Sequence, residues 1–418
     1  MSEITWEITS LSELGTFSRG KSKHRPRNDV KLFEGGKYPL VQTGDVKAAN
    51  LYITKNDSYY NDFGLKQSKL WPAGTLCITI AANIAETAIL SYPMCFPDSI
   101  VGFNANPEKS SELFVYYFFE YIKKEIQKSA SGSIQDNINI DYLSKMRIKV
   151  PEKKYQDKIV ELLSSIDKKI LLNNQINQEL EAMAKTLYDY WFVQFDFPDQ
   201  NGKPYKSSGG KMVYHPELKR EIPEGWGVEK LGEFESKIIT GKTPSRANSD
   251  NFGGEIPFIT IGDIRGNTFI YNTSETLTDL GARVQKNKFL PEGSLCVSCI
   301  ATVGEIGFTT KPSHTNQQIN SIVFEDETNR YYLYFALENY FENANASAKT
   351  GNTFANMNKE DFSRIKIIFP NKEIKNNFHK ITEPYFSQIK CLQGQNQELT
   401  QLRDWLLPML MNGQVKVE

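Results

Sequence analysis

Cysteine, net charge and long apolar runs are all in short supply in this chain, and each shortage excludes something. Five cysteines among 418 residues are an odd count without framework spacing. That excludes a disulfide-stapled secreted domain and fits a reducing compartment. No apolar run approaches the ~20 residues that span a bilayer. The opening Met1-Ser2-Glu3-Ile4-Thr5-Trp6 lacks a basic region leading into an apolar stretch, so no secretory signal is expected. The expected location is the cytoplasm, with no membrane partner. A net charge of −1 decides nothing about nucleic acid, because a basic face can coexist with acidic surface elsewhere.

Catalytic signatures are missing as well. The four histidines are scattered, with no His-Glu-x-x-His. There is no Gly-x-Ser-x-Gly, no nicotinamide fingerprint and no Asn-Pro-Pro-Tyr or Asp-Pro-Pro-Tyr of an amino-methyltransferase. Cys296-Val297-Ser298-Cys299 has metal-ligand spacing but no second pair. Strand residues three apart point to opposite faces, so both are expected to be core cysteines. Gly241-Lys242-Thr243 looks like the end of a phosphate-binding loop, but Ser236 stands where the motif needs glycine. Pro244 and Asn248 break the helix that should follow. No catalytic residue, no metal and no cofactor is expected on this chain.

What the chain does contain, it contains twice. Leu70-Trp71-Pro72-Ala73-Gly74-Thr75-Leu76-Cys77-Ile78 returns as Phe289-Leu290-Pro291-Glu292-Gly293-Ser294-Leu295-Cys296-Val297. Tyr38-Pro39-Leu40-Val41-Gln42-Thr43-Gly44-Asp45-Val46 returns as Ile256-Pro257-Phe258-Ile259-Thr260-Ile261-Gly262-Asp263-Ile264. Asn177-Gln178-Glu179-Leu180 returns unchanged as Asn396-Gln397-Glu398-Leu399. Solenoid units run about 20–50 residues, so this longer repeat is a whole domain with its helix. Two similar domains suggest two similar partners, or two segments of one long partner.

Composition supports two globular domains: 39% of residues are hydrophobic and 24% charged. The expected fold is mixed α+β. Residues 1–150 form the first domain, with β-rich runs at Leu40-Val41-Gln42, Thr75 to Ile80 and Ala88-Ile89-Leu90. An aromatic helix lies near Glu112 to Lys128. The alternating strand Met146 to Val150 stops at Pro151. Residues 151–197 then read as one long helix. Ile159, Leu163, Ile166, Ile170, Asn173, Asn177, Leu180, Ala184, Leu187 and Trp191 follow a heptad seam. A helix of about 40 residues is roughly 60 Å long. Residues 198–226 read as an exposed linker, 227–369 as the second domain and 370–418 as the second long helix. Its seam holds Phe378, Tyr385, Ile389, Leu392, Asn396, Leu399 and Leu406. Pro384 and Gly394 interrupt it, so it is expected to bend or start late. Ile166, Ile170, Asn177 and Leu180 are expected to pack against Ile389, Leu392, Asn396 and Leu399.

Local chemistry points to DNA. Arg19, Lys21, Lys23, His24, Arg25 and Arg27 have no acid between them, and the second copy answers with Lys237, Lys242 and Arg246 beside Thr243 and Ser245. Such clusters neutralise phosphates. Asn316-Gln317-Gln318, beside His314 and Thr315, is a run of amides able to bond adenine bidentately. The first copy has Cys95-Phe96-Pro97-Asp98-Ser99 near this place, as expected of domains that read different bases on a common frame. Two hydroxyl-rich loops precede the last strand of each domain. They carry Ser133 and Gln135 in the first, and Thr350, Asn352 and Thr353 in the second, and they suit close approach to a sugar-phosphate backbone.

The arrangement resembles the specificity subunit of type I restriction–modification systems over nearly the whole chain. The most specific stretches are Glu221-Ile222-Pro223-Glu224-Gly225-Trp226, the preceding Lys203 to Gly210, and Asn396-Gln397-Glu398-Leu399 to Arg403-Asp404-Trp405-Leu406-Leu407-Pro408-Met409-Leu410. The resemblance implies two target-recognition domains, each reading half of a bipartite site in double-stranded DNA. It implies two long helices packed antiparallel as a ruler between them. It further implies two modification subunits that bind S-adenosylmethionine and methylate adenine, and motor-nuclease restriction subunits using ATP and Mg. DNA contacts carry over to the basic loops and to the turns holding Thr43, Asp45 and Asp263. Two departures stand out: Ala85 where the second copy has Gly304, and Pro384 inside the second helix. Two other classes stay open at this point, a self-contained DNA adenine methyltransferase and a coiled-coil scaffold joining two protein-binding domains.

Overall fold

The computed structural model describes residues 4–81, 83–132, 140–348 and 356–417. The chain divides into two compact units. One is Met1–Ile170 with Leu399–Glu418, the other Leu171–Glu398.

The first unit is built on a five-stranded sheet. Gly15–Arg19, Ile100–Ala105, Leu76–Thr79, Thr87–Leu90 and Tyr52–Ile53 lie side by side in that order. All pairs are antiparallel except the last. Leu76, Cys77, Ile78 and Thr79 are all buried, because the sheet is covered on both faces and its centre therefore reads as a continuous apolar run. Helix Glu112–Gly132 packs its aromatics into this core, with Phe114, Val115, Tyr117 and Phe119 almost fully buried. Trp6–Ser10 pairs antiparallel with Arg147–Pro151, which closes the domain on itself. A smaller four-stranded sheet, Ser58–Tyr60, Tyr38–Leu40, Met94–Cys95 and Leu70–Trp71, carries the loops considered below.

The second unit repeats this plan. Ile238–Thr240, Ile319–Ile322, Leu295–Ser298, Ile306–Thr309 and Phe269–Ile270 have the same order and the same parallel last pair. Arg330–Ala348 is the aromatic helix, and Gly227–Lys230 pairs with Lys366–Phe369. The smaller sheet is Glu275–Leu277, Phe252–Ile259 and His314–Thr315, with a single bridge from Leu290 to Ser313. Cys296 and Cys299 are buried, as their strand pattern predicts. Among the described residues no His/Cys/Asp/Glu group could hold a metal, and no helix is long and apolar enough to cross a membrane.

The hairpin that closes each central strand pair explains one departure between the copies. Ala85 has φ +60° and Gly304 φ +95°. Each donates its backbone N–H to the same place in its hairpin, Thr79 or Ser298. The left-handed conformation is common to both; the first copy holds it with a side chain that resists it.

Lys153–Tyr188 is the first long helix, and it runs into a π turn at Asp189–Val193. The second, Lys372–Met411, is one helix of 40 residues, so it neither starts late nor is interrupted at Pro384 and Gly394. A proline inside a helix costs about 3 kcal/mol. Phe378, Phe386 and Ile389 on the same stretch are fully buried, and burial of each contributes roughly 1.5–3 kcal/mol. Gly394 has a positive reason to be there. A Cβ would lie 3.0 Å from the Tyr271 hydroxyl, which donates to the Lys390 carbonyl at 2.6 Å.

Within the second unit the helices run antiparallel: Tyr188 packs on Phe378, and the Asn173 amide donates to Asn396 Oδ1 at 2.8 Å. Asn396 in turn donates to Asn174 Oδ1 at 2.7 Å, so Asn173 and Asn174 are both amide partners of Asn396. Of the expected seam, Ile389, Leu392 and Asn177 are buried here and Leu180 is half-buried. Within the first unit, Ile166 is buried, Ile170 and Leu399 are half-buried, and Arg403 of the second helix binds Asp167 of the first at 2.8 Å. The chain end packs into the same unit. Leu410 and Met411 join its core, and Val417 donates its N–H to the Tyr155 hydroxyl.

Residues 198–226, expected as an exposed linker, are folded. Asp196 accepts from the Ser207 N–H at 2.7 Å and the Ser207 hydroxyl at 2.6 Å. Tyr205 stacks on Phe197 and Phe197 on Trp226. Met212–His215 and Arg220–Pro223 form a hairpin. The Gly and Ser residues here make tight turns under an aromatic stack, not a flexible tether.

Candidate nucleic-acid interface

The basic loop of each unit leaves the edge strand of the large sheet at a glycine. Gly20 donates to the Ile100 carbonyl at 2.9 Å, and Lys21 to the Phe96 carbonyl at 3.2 Å. Gly241 donates to Ile319 at 3.2 Å and Lys242 to Thr315 at 3.0 Å. A Cβ at Gly20 would sit 2.0 Å from the Pro97 carbonyl oxygen, and one at Gly241 2.2 Å from that of Asn316. Both glycines are therefore fixed by close approach of two backbones. The same contacts place Pro97-Asp98 of the first unit in register with Asn316-Gln317 of the second.

Around that shared turn the cations differ in their partners. Lys21, Lys23 and Lys242 are exposed, and among the described residues none has a carboxylate within 4 Å. Arg27 binds Asp98 at 2.7 Å, Arg25 lies 3.7 Å from the same carboxylate, and Arg19 Nε donates to the Asp98 carbonyl at 2.7 Å. The run that lacks an acid in sequence gains one in space. His24 binds Asp29 at 2.8 Å, and that hydrogen bond holds the Asp29 carboxyl below its ordinary range. Gln67 braces the loop by accepting from the backbone N–H groups of Lys23 and His24. In the second unit Arg246 makes two bonds to Glu275, at 2.7 and 2.8 Å, and lies over the Phe252 ring. The pairing lowers the Glu275 carboxyl below its usual range. Ser245 is exposed and its carbonyl accepts from Asn251.

The amide run divides into separate roles. Asn316 is buried and folds its own turn. Its Oδ1 accepts from the Gln318 N–H at 3.0 Å and its Nδ2 donates to Gln318 Oε1 at 3.1 Å. Asn316 and Gln318 satisfy each other instead of facing outward. Gln317 is exposed and accepts from the Thr243 hydroxyl at 2.6 Å, joining the amide run to the basic loop.

The expected turns at Thr43-Gly44-Asp45 and Ile261-Gly262-Asp263 are short helices, Thr43–Ala48 and Ile261–Ile264. Asp45 accepts from the Gln42 N–H, and Asp263 from the Thr260 N–H, each at 2.7 Å. These carboxylates serve as reciprocal helix caps, and Asp263 also accepts from the Ser274 N–H. Thr43 is half-buried at the start of its helix. Ser133, Gln135, Thr350, Asn352 and Thr353 lie outside the described residues.

Sequence reasoning missed Gln67, Asp98 and Glu275 as parts of these loops. Asp98 had a signal, because its segment aligned with the amide run. Gln67 and Glu275 had none, being distant in sequence from the groups they hold.

The chain as a whole, with its two similar domains, matches known proteins. The profile described as "Type I restriction modification DNA specificity domain" matches twice, at residues 3–182 and 223–401. The type I restriction enzyme HindI specificity subunit of Haemophilus influenzae is 35% identical, covering 93% of this chain and 97% of that protein. The MjaIX specificity subunit of Methanocaldococcus jannaschii is 26% identical, over 99% of this chain and 94% of that one. In fold, the chain is similar to the S subunit of a type I restriction–modification system from M. genitalium, with a TM-score of 0.57, 16% identity and coverage of 98% and 97% of the two chains. With two copies of the domain and a relative similar almost end to end, this chain belongs to the family of type I restriction–modification specificity subunits.

Proposed function

We propose that each unit of this chain reads one half of an interrupted target in double-stranded DNA, and that the chain itself carries out no chemistry. The methyl transfer belongs to two modification subunits that bind S-adenosylmethionine. Cleavage belongs to restriction subunits that use ATP and Mg. The duplicated long helices offer two equivalent docking surfaces, as a duplicated chain does for two identical partners, and their length sets the gap between half-sites.

The observation that carries this reading is the shared glycine turn with its exposed lysines. Lys21 and Lys242 leave the same backbone position in both units, while the neighbouring loop is Pro97-Asp98 in one and Asn316-Gln317 in the other. A common phosphate contact with a divergent reading edge is what two half-sites require. Lys21, Lys23, Lys242, Thr243, Gln317, Arg25, Arg27 and Arg246 are the groups we assign to DNA contact.

The test is to map N6-methyladenine in the host genome with and without this gene. An interrupted motif that vanishes with the gene supports the reading; a continuous motif refutes it. Replacing residues 227–369 by the corresponding domain of a relative should then alter one half of the motif and leave the other half unchanged.

A further inference from the structure

Each basic loop is held by one carboxylate from outside it. In the first unit Asp98 gathers three cations: Arg27 at 2.7 Å, Arg25 at 3.7 Å and, through its carbonyl, Arg19 at 2.7 Å. Position 98 corresponds to Gln317, so the second unit has no acid there. It supplies one from another element instead. Glu275, at the start of strand Glu275–Leu277, grips Arg246 with both oxygens while Phe252 lies beneath the guanidinium. The two units have thus arrived at the same pairing from different places in the fold.

These are surface pairs. Arg25, Arg27 and Arg246 keep 54%, 51% and 60% of their side-chain exposure. Exposed ion pairs contribute little to stability, so stability alone gives no reason for two carboxylates inside a phosphate-binding surface. Their charge also opposes the approach of any DNA. They do one thing of value. Each holds its arginines in a single direction, which matters only to a complex in which the arginine must meet a particular group.

We propose that Asp98 and Glu275 are specificity-determining residues that lower the affinity of each unit for DNA in general while orienting its arginines for the target. This rests on the reading of the glycine turns as the DNA-facing surface. In a non-specific complex only net charge counts, so the carboxylate is a cost. In the target complex its repulsion is offset by the fixed guanidinium.

The experiment compares Asp98→Asn, Glu275→Gln and the double variant in the full-length chain assembled with its modification subunits. Affinity is measured by fluorescence anisotropy on a duplex bearing the methylated motif and on a scrambled duplex, at about 0.01 M salt, where the screening length is about 30 Å. One charge about 7 Å from a phosphate in water changes affinity about threefold. Each single variant should therefore bind scrambled DNA about threefold more tightly, and the double variant about tenfold. Affinity for the target should stay level or fall, so that discrimination drops about tenfold in the double variant. Asp98→Glu, which keeps the charge, should retain the wild-type affinity for scrambled DNA. Because Glu275 lies in the other unit, its variant tests the idea even if Asp98→Asn does not fold. Unchanged or weaker scrambled-DNA binding in the folded variants overturns the inference, leaving the carboxylates as braces. A wild-type complex that does not prefer its target would instead overturn the underlying DNA reading, and this inference with it.

Discussion

Removing Arg403 should destabilise the first unit by about 1 kcal/mol more than neutralising its partner Asp167. Asp167 lies on the first long helix with only 10% of its side chain exposed. It accepts from Arg403 of the second helix at 2.8 Å and from the Tyr117 hydroxyl at 2.5 Å. Burial, and then the Asp167 charge, pushes the Tyr117 hydroxyl far above its ordinary value, so it remains a donor across the working pH range. Arg403→Ala leaves a nearly buried carboxylate with one neutral donor. Breaking a fully buried pair costs about 3–5 kcal/mol. Since Arg403 keeps 28% exposure, about 2–3 kcal/mol is expected, or roughly 5–10 °C in Tm for a unit of 150–250 residues. Asp167→Asn should cost about 1–2 kcal/mol, because Arg403 still has Asp404 at 3.0 Å. The second unit shows the apolar solution: Phe386 and Ala184, both buried, stand at the repeat-equivalent positions of Asp167 and Arg403, and Phe386 packs on buried Phe335. Tyr117→Phe with Asp167→Phe and Arg403→Ala should therefore return to within about 1 kcal/mol of wild type. Urea unfolding followed by tryptophan fluorescence measures all three. A loss below about 0.5 kcal/mol for Arg403→Ala, or a larger loss for Asp167→Asn, would refute the reasoning.

Three further outcomes are expected. Asn177→Leu should stabilise the second unit by about 1 kcal/mol in urea, because it removes a buried Oδ1 that has no partner; a loss would mean that this amide is bonded in solution. Ala85→Gly should raise stability by about 0.5–1 kcal/mol by calorimetry, since the backbone there is left-handed; Gly304→Ala should do the reverse, its Cβ lying 2.8 Å from Phe341. Glu338 has its carboxyl raised to about 7, first by burial and then by Glu342. The native state therefore holds a proton that the unfolded chain releases near pH 4.5. Stability should fall as pH rises from about 4.5 to 7, by at most about 1.4 kcal/mol per pH unit, and Glu338→Gln should flatten that slope. Equal slopes in both proteins would remove Glu338 as the cause.

The strand cores and both long helices were legible in the sequence because their signals are local and repeated. Leu76-Cys77-Ile78 and Leu295-Cys296-Val297 announce the same buried strand, and the heptad seam announces each helix. What stayed hidden depended on partners far away along the chain. Pro384 and Gly394 read as breakers because local rules know nothing of Phe378 and Phe386 in the core, or of Tyr271 pressing on Gly394. Residues 198–226 read as a linker because their Gly and Ser content is visible, while Tyr205 stacking on Phe197 is not. The basic loop read as uncompensated because Asp98 lies 71 residues from Arg27.

The duplication is most informative where it fails. By repeat position Asn177 corresponds to Asn396, and Asn173 to Leu392. The bond from Asn173 to Asn396 would, under perfect symmetry, have a second copy joining position 392 to Asn177. Leucine at 392 cannot make it. Among the described residues the buried carbonyls of Asn173 and Asn177 both lack a partner, but the amide of Asn173 donates to Asn396, which itself donates to Asn174. One polar contact is enough to fix the register of two apolar helices. A second would add desolvation without adding information. The leucine is thus a local gain in packing, Leu392 being 4% exposed, and the unpartnered Asn177 marks where the symmetric contact would have been.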